Sequence, residues 1–145
     1  MDVEIFLRSQ QRTEGETLCQ EQRLAGALEW EGEEPRLRWR EEGPAGAVEA
    51  ELRFSGEEAV LRRQGAVRAR MVFAVGRRCP ADYETPWGTL PLETETEYLG
   101  RSLSGSSGGG RVLLRYVLRS GGAILGHYSL KLNIRERNKE HDQHD

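Results

Sequence analysis

Gly105-Ser-Ser-Gly-Gly109 places Ser107 in a literal match to the glycine-flanked turn that presents a hydrolase nucleophile. That chemistry needs the serine on a strained strand-to-helix turn, with an acid and a histidine to activate it. Ser107 instead falls within Ser102–Gly110, a glycine- and serine-rich run with no helix signal behind it, so a linker is expected. His141, Asp142, His144 and Asp145 carry imidazole and carboxylate groups suited to a divalent ion. They lie on a charged tail with nothing to orient them, and metal binding there would be adventitious. His127 stands alone at the start of the last strand-like run. No histidine is paired with a nucleophile, no cofactor motif is present, and a non-catalytic protein is expected.

Charge is the next candidate for chemistry. Ala59 to Ala81 holds six arginines (62, 63, 68, 70, 77 and 78) and no acid. A basic strip can track phosphates. Here Arg68 and Arg70 alternate with apolar residues, and the expected neighbouring strand carries Glu93, Glu95 and Glu97 on its outer face. Cross-strand ion pairs account for both sets, and no aromatic residues are interleaved for base stacking. The formal charge of −3 is also too small to point to a polyanionic partner. A nucleic-acid partner is therefore not expected.

Polar residues that point inward are more informative. Gln20, Gln22, Thr94, Thr96, Tyr116 and Tyr128 fall on the apolar faces of their strands. Either Arg62 or Arg63 must join them, because adjacent residues of a strand face opposite ways. Several donors and acceptors among Leu, Val, Met and Phe are what a small-molecule site requires. The alternative is that these groups satisfy one another, or that the tyrosine hydroxyls reach water at a rim. Tyr83, Thr85 and Trp87, in Tyr83-Glu-Thr-Pro-Trp-Gly88, read as a turn at one end, capping the interior or controlling access to it.

The elements that must position these residues are strands. Period-two alternation runs through Val3-Ile5-Leu7, Leu18 to Trp30, Leu37-Trp39, Val48 to Phe54, Val67 to Val75, Leu90 to Tyr98, Val112 to Leu118 and Gly126 to Ile134. Turn chemistry separates them at Glu31-Gly32, Gly43-Pro44, Ser55-Gly56, Gln64-Gly65 and Ser120-Gly121-Gly122. Glu57 to Arg63 suits a helical turn or a strand equally. The fold class expected is all-β: a single up-and-down antiparallel barrel of about eight to nine strands, a size that packs its interior or holds one small ligand. The barrel should span 1–136, with a disordered charged tail over 137–145. No run approaches the roughly 18 apolar residues of a membrane helix, so no membrane association is expected. Charges in Met1–Arg8 displace the apolar centre of a signal peptide, which points to the cytoplasm. Cys19 and Cys79 have no neighbouring cysteine and are expected to be free.

Arg63-x-Gly65, Met71-x-Phe73, Tyr83-x-Thr85-Pro86-x-Gly88, Thr94-x-Thr96 and Tyr128-x-Leu130-x-Leu132-x-Ile134-x-Glu136, in that order, resemble the YwiB-like family of uncharacterised bacterial proteins. Leu37-x-Trp39-x-Glu41 is similar to the family's short strand of an aromatic and an acid. The likeness extends from about Val3 to Glu136. It implies a lipocalin-like, or calycin, barrel without an established activity, and it supplies no catalytic residues. It also favours Arg63 over Arg62 as the inward arginine. Two functions follow as expectations. The first is a barrel that binds a small, partly apolar molecule through Gln20, Gln22, Arg63, Thr94, Thr96, Tyr116 and Tyr128. The second is a packed structural or interaction module, with a homodimer as one form.

Overall fold

The computed structural model describes residues 1–44, 46–105 and 108–137, with Thr85 described by its backbone alone. Ser107 and the tail residues His141, Asp142, His144 and Asp145 lie outside the described residues. Ten strands follow in chain order: β1 (Asp2–Thr13), β2 (Glu16–Glu31), β3 (Glu34–Gly43), β4 (Gly46–Ser55), β5 (Glu58–Gly65), β6 (Arg68–Ala74), β7 (Arg78–Thr85), β8 (Gly88–Ser104), β9 (Gly109–Ser120) and β10 (Ala123–Glu136). Each pairs antiparallel with its chain neighbours, and β1 pairs with both β2 and β10, which closes the barrel. Among the described residues there is no helix long and apolar enough to cross a membrane.

The barrel has more strands than the eight to nine that alternation predicts. Glu58–Gly65 is a strand and not a helical turn. The strand that alternation does not reveal is β7, because Cys79-Pro-Ala-Asp-Tyr-Glu lacks β-branched residues and contains a proline. Pro80 is tolerated because β6 meets β7 only at Asp82 to Glu84, so no ladder partner on that side needs its missing N–H. Tyr83 and Thr85 consequently belong to a strand, and the turn is reduced to Pro86-Trp87.

Alternation fixes which face is buried. Val3, Ile5, Leu37, Leu52, Phe54, Phe73, Leu114 and Leu132 are almost wholly inaccessible and form one continuous core. Burying each such side chain contributes roughly 1.5–3 kcal/mol. Gly26 in β2 lets the wall close tightly: a Cβ there would stand 2.4 Å from the Arg38 carbonyl oxygen and 2.6 Å from Ile5 Cδ1. At the Ser55-Gly56 turn, Gly56 adopts a φ of 60°, the left-handed region that glycine enters without penalty.

Two irregularities shape the interior. A bulge in β8 between Thr96 and Tyr98 reverses the phase of the strand. Tyr98, expected inside, is therefore exposed beneath the Arg115 guanidinium, whereas Leu99 and Leu103 turn inward. Below Arg70, β6 leaves β7 and approaches β8 instead. There the Thr94 hydroxyl donates to the Val72 carbonyl at 2.5 Å, and the Gly76 N–H donates to the Thr96 carbonyl at 3.1 Å. A threonine side chain thus replaces part of a missing ladder.

The outer face carries cross-strand ion pairs, but not those expected. Because β7 intervenes, Arg68 and Arg70 stand opposite Glu84 and Asp82. Glu95 instead lies between Arg78 at 3.0 Å and Arg119 at 3.1 Å. Arg78 first, and Arg119 with it, hold the Glu95 carboxyl below its ordinary value. Glu29 is lowered in the same way by Arg36 and Arg38. Cys19 is exposed, Cys79 is buried, and both are free thiols.

Candidate functional site

In an up-and-down barrel, odd strands end where even strands begin. The turns after β1, β3, β5, β7 and β9 therefore ring one mouth. Arg63, Tyr83, Tyr116 and Tyr128 are polar inward residues in the half of the barrel towards this mouth, where they mix with apolar Leu92 and Leu118, while Thr94 and Thr96 lie deeper. One row of paired residues reads Trp39, Ala50, Arg63, Ala69, Tyr83 across β3 to β7. Large and small side chains alternate along it, and the two flanking alanines give the Arg63 side chain room to extend inside the wall. This resolves the choice between the two arginines. Arg63 has its side chain 30% exposed, whereas Arg62 is on the outer face opposite Glu51 and Arg70.

Arg63 Nη2 lies 3.6 Å from Glu41 Oε2, close enough for an ion pair and beyond hydrogen-bond distance. Arg63 Nε is buried with no partner, as are Trp39 Nε1 and Thr96 Oγ1. Tyr116 pairs with Thr96 on one side and with Tyr128 on the other. The Tyr116 and Tyr128 rings stack with centroids 5.2 Å apart and planes 9° apart, and Phe73 meets Tyr116 at 4.8 Å with a 52° tilt. The Tyr116 hydroxyl is pushed up to about 12: burial disfavours the phenolate, the Arg63 charge opposes that, and Tyr128 and Tyr83 reinforce it. Tyr128 is raised as well, by burial and then by Tyr83. Arg63 and Tyr83 thus share one row with Ala69 between them, Tyr116 and Tyr128 share a stack, and the Arg63 charge acts on Tyr116 across the lumen.

The other expected site residues separate from this group. Gln20 is exposed, because the β1–β2 hairpin runs past the rim, and Gln22 is half-buried beside Leu7. Thr94 is fully buried, with its hydroxyl committed to the β6–β8 seam. Trp87 is 92% exposed, so it does not cover the barrel interior as a cap would. Tyr83, expected in a turn, instead points inward and packs on the core. Glu41 is an inward charge that was not among the expected site residues, although extending the alternation of Leu37 and Trp39 by one step places it there. Arg63 also lines a cleft of about 250 Å³ shared with Arg62, Arg68, Arg70, Asp82 and Glu84. A cleft of about 750 Å³ lies at the opposite end, between the β4–β5 turn and β8. Among the described residues no group of three or more His, Cys, Asp or Glu side chains is arranged to hold a metal.

These features define a class: a closed ten-stranded antiparallel barrel with a largely apolar core and a group of polar inward residues towards one mouth. The chain belongs to the family described as Domain of unknown function (DUF1934), which it matches over residues 5–132. Its fold is similar to that in the crystal structure of the ywiB protein from Bacillus subtilis, with a TM-score of 0.79 at 23% identity. That likeness covers 91% of this chain and 90% of the other, and it bears out the YwiB-like resemblance at the level of fold. No curated protein matches.

Proposed function

We propose that the protein is a non-catalytic barrel that binds a small, partly apolar molecule at its polar mouth, in the manner of lipocalin-like carriers. The observation that carries this reading is the convergence of Arg63 with Tyr83, Tyr116 and Tyr128, next to buried donors on Arg63 and Trp39 that have no partner. An unpaired buried donor costs about 1–3 kcal/mol, and a ligand acceptor would recover that energy. The ligand sits higher than the alternation pattern alone would place it, because the lower interior is filled by the core. Arg63, Tyr116, Tyr128 and Tyr83 make the contacts, with Thr96 beneath and Gln22 at the rim, while Thr94 supports the wall.

Native mass spectrometry of the protein isolated from its own host tests this directly. A fixed mass increment is expected, reduced in Arg63→Gln and Tyr128→Ala. An unliganded wild-type protein, or an increment unchanged in both variants, would refute the site.

A second reading, an interaction module, is favoured by one observation. Leu18, Trp87, Leu90, Ile124 and Leu125 are exposed around the same mouth. Single exposed apolar residues are ordinary, but five on one rim suit a second copy of the chain. Light scattering at several concentrations tests it, and a monomer throughout would exclude it.

A further inference from the structure

We infer that the mouth selects a zwitterion, a molecule carrying a carboxylate and an ammonium close together beside an apolar or aromatic body. This rests on the mouth being the ligand site and adds the ligand's charge pattern. Arg63 and Glu41 stand 3.6 Å apart, with side chains 30% and 15% exposed, and no hydrogen bond joins them. Each therefore keeps capacity for a charge-assisted hydrogen bond. Arg63 Nε adds a buried donor that faces no acceptor.

A simple carboxylate would satisfy the guanidinium but approach Glu41, and a simple amine would satisfy Glu41 but approach Arg63. In a partly desolvated site that mismatch is expensive. A ligand with both charges gives each group an oppositely charged partner at once, and its net charge of zero matches that of the pair. The stacked Tyr116 and Tyr128 rings, with Tyr83 beside them, offer the wall against which an apolar or aromatic body packs.

The test uses the full chain, freed of any bound molecule, with three probes that share one ring. These are phenylalanine, 3-phenylpropionate, which lacks the ammonium, and phenethylamine, which lacks the carboxylate. Calorimetric titration is expected to rank phenylalanine at least about tenfold tighter than either, the effect of one lost charge-assisted bond of about 1.4 kcal/mol. Glu41→Gln should remove the penalty against 3-phenylpropionate, and Arg63→Gln should abolish the advantage of phenylalanine over phenethylamine. Equal affinities for all three probes would overturn the zwitterion while leaving the mouth as a ring-binding site. The zwitterion alone is likewise overturned if none binds but a retained molecule of other charge is lost in Arg63→Gln. Binding of phenylalanine that survives both substitutions unchanged would overturn the zwitterion and the mouth together.

Discussion

The hydroxyl of Tyr116 reports on the interior of the mouth, and its removal yields a stability signal with a defined pH window. Burial raises this phenol from an ordinary value of 10.0 to about 12 in the folded chain. The folded state therefore holds the proton more tightly than the unfolded state. For an acid raised in this way, the stabilising difference is complete below pH 10 and is lost as pH climbs towards 12. One pH unit corresponds to about 1.36 kcal/mol, so the loss due to Tyr116 should reach roughly 1.4 kcal/mol at pH 11 and approach about 2.7 kcal/mol above pH 12. Urea denaturation of the wild type and Tyr116→Phe at pH 8 to 11 isolates this quantity, because every other titrating group is common to both proteins. The stability gap between the two should be flat up to about pH 9.5 and then shift in favour of Phe by about 1.4 kcal/mol at pH 11. Tyrosinate absorbance should show, in parallel, one phenol that titrates late in the folded wild type and is missing from the variant. Parallel stability profiles, or a Tyr116 phenol that ionises near 10, would mean that the hydroxyl is in contact with bulk water. The enclosed site built on it would then be wrong.

Thr94 and Thr96 lie two residues apart on one strand, both buried, and should respond oppositely to valine. Thr94→Val deprives the Val72 carbonyl of its donor and should cost about 1–3 kcal/mol, whereas Thr96→Val removes an unpaired hydroxyl and should be neutral or stabilising in the unliganded protein. Equal losses in urea midpoints would count against the seam. Gly26→Ala drives a methyl group into the Arg38 carbonyl and Ile5, so a loss of about 1–3 kcal/mol is expected, and an unchanged melting temperature would contradict the tight wall. Because Arg78 and Arg119 hold the Glu95 carboxyl low, its contribution is present above its unfolded value of 4.5 and fades as pH falls through the lowered value. Glu95→Gln should therefore flatten the acid limb of the stability profile, and an identical limb would show that the two arginines do not act on it.

How much of this was legible in the sequence depends on what each residue competes against. Where alternation runs unbroken, as from Val48 to Phe54 or Tyr128 to Ile134, inward residues are correctly read because a one-residue slip would turn the whole apolar set to water. Tyr116 and Tyr128 were within reach for that reason, whereas phase left Arg62 and Arg63 open and only the family resemblance favoured Arg63. Tyr98 was not within reach, since one extra residue at the bulge reverses the face and leaves no compositional trace. Nor was β7, whose inward side is Cys79, Ala81 and Tyr83. Its pairing comes from the neighbouring strands and not from its own propensity. Gln20 fails differently: its phase is right, but phase says nothing of height, and it stands above the rim.

The same distinction between phase and height separates wall from site. Thr94 and Thr96 share phase, strand and residue type, yet one hydroxyl closes a seam and the other is left over. That difference arises only because β6 departs from β7 after Arg70 and brings the Val72 carbonyl to Thr94. Glu41 and Arg63 show the converse. They are separated by 22 positions in the chain and are placed within 3.6 Å by a register that sets Ala50 between Trp39 and Arg63. An opposed pair held that close without a hydrogen bond has unused bonding capacity on both partners. The phase of β3 and β5 and the register of β4 together dictate that approach, which no stretch of sequence around either residue announces by itself.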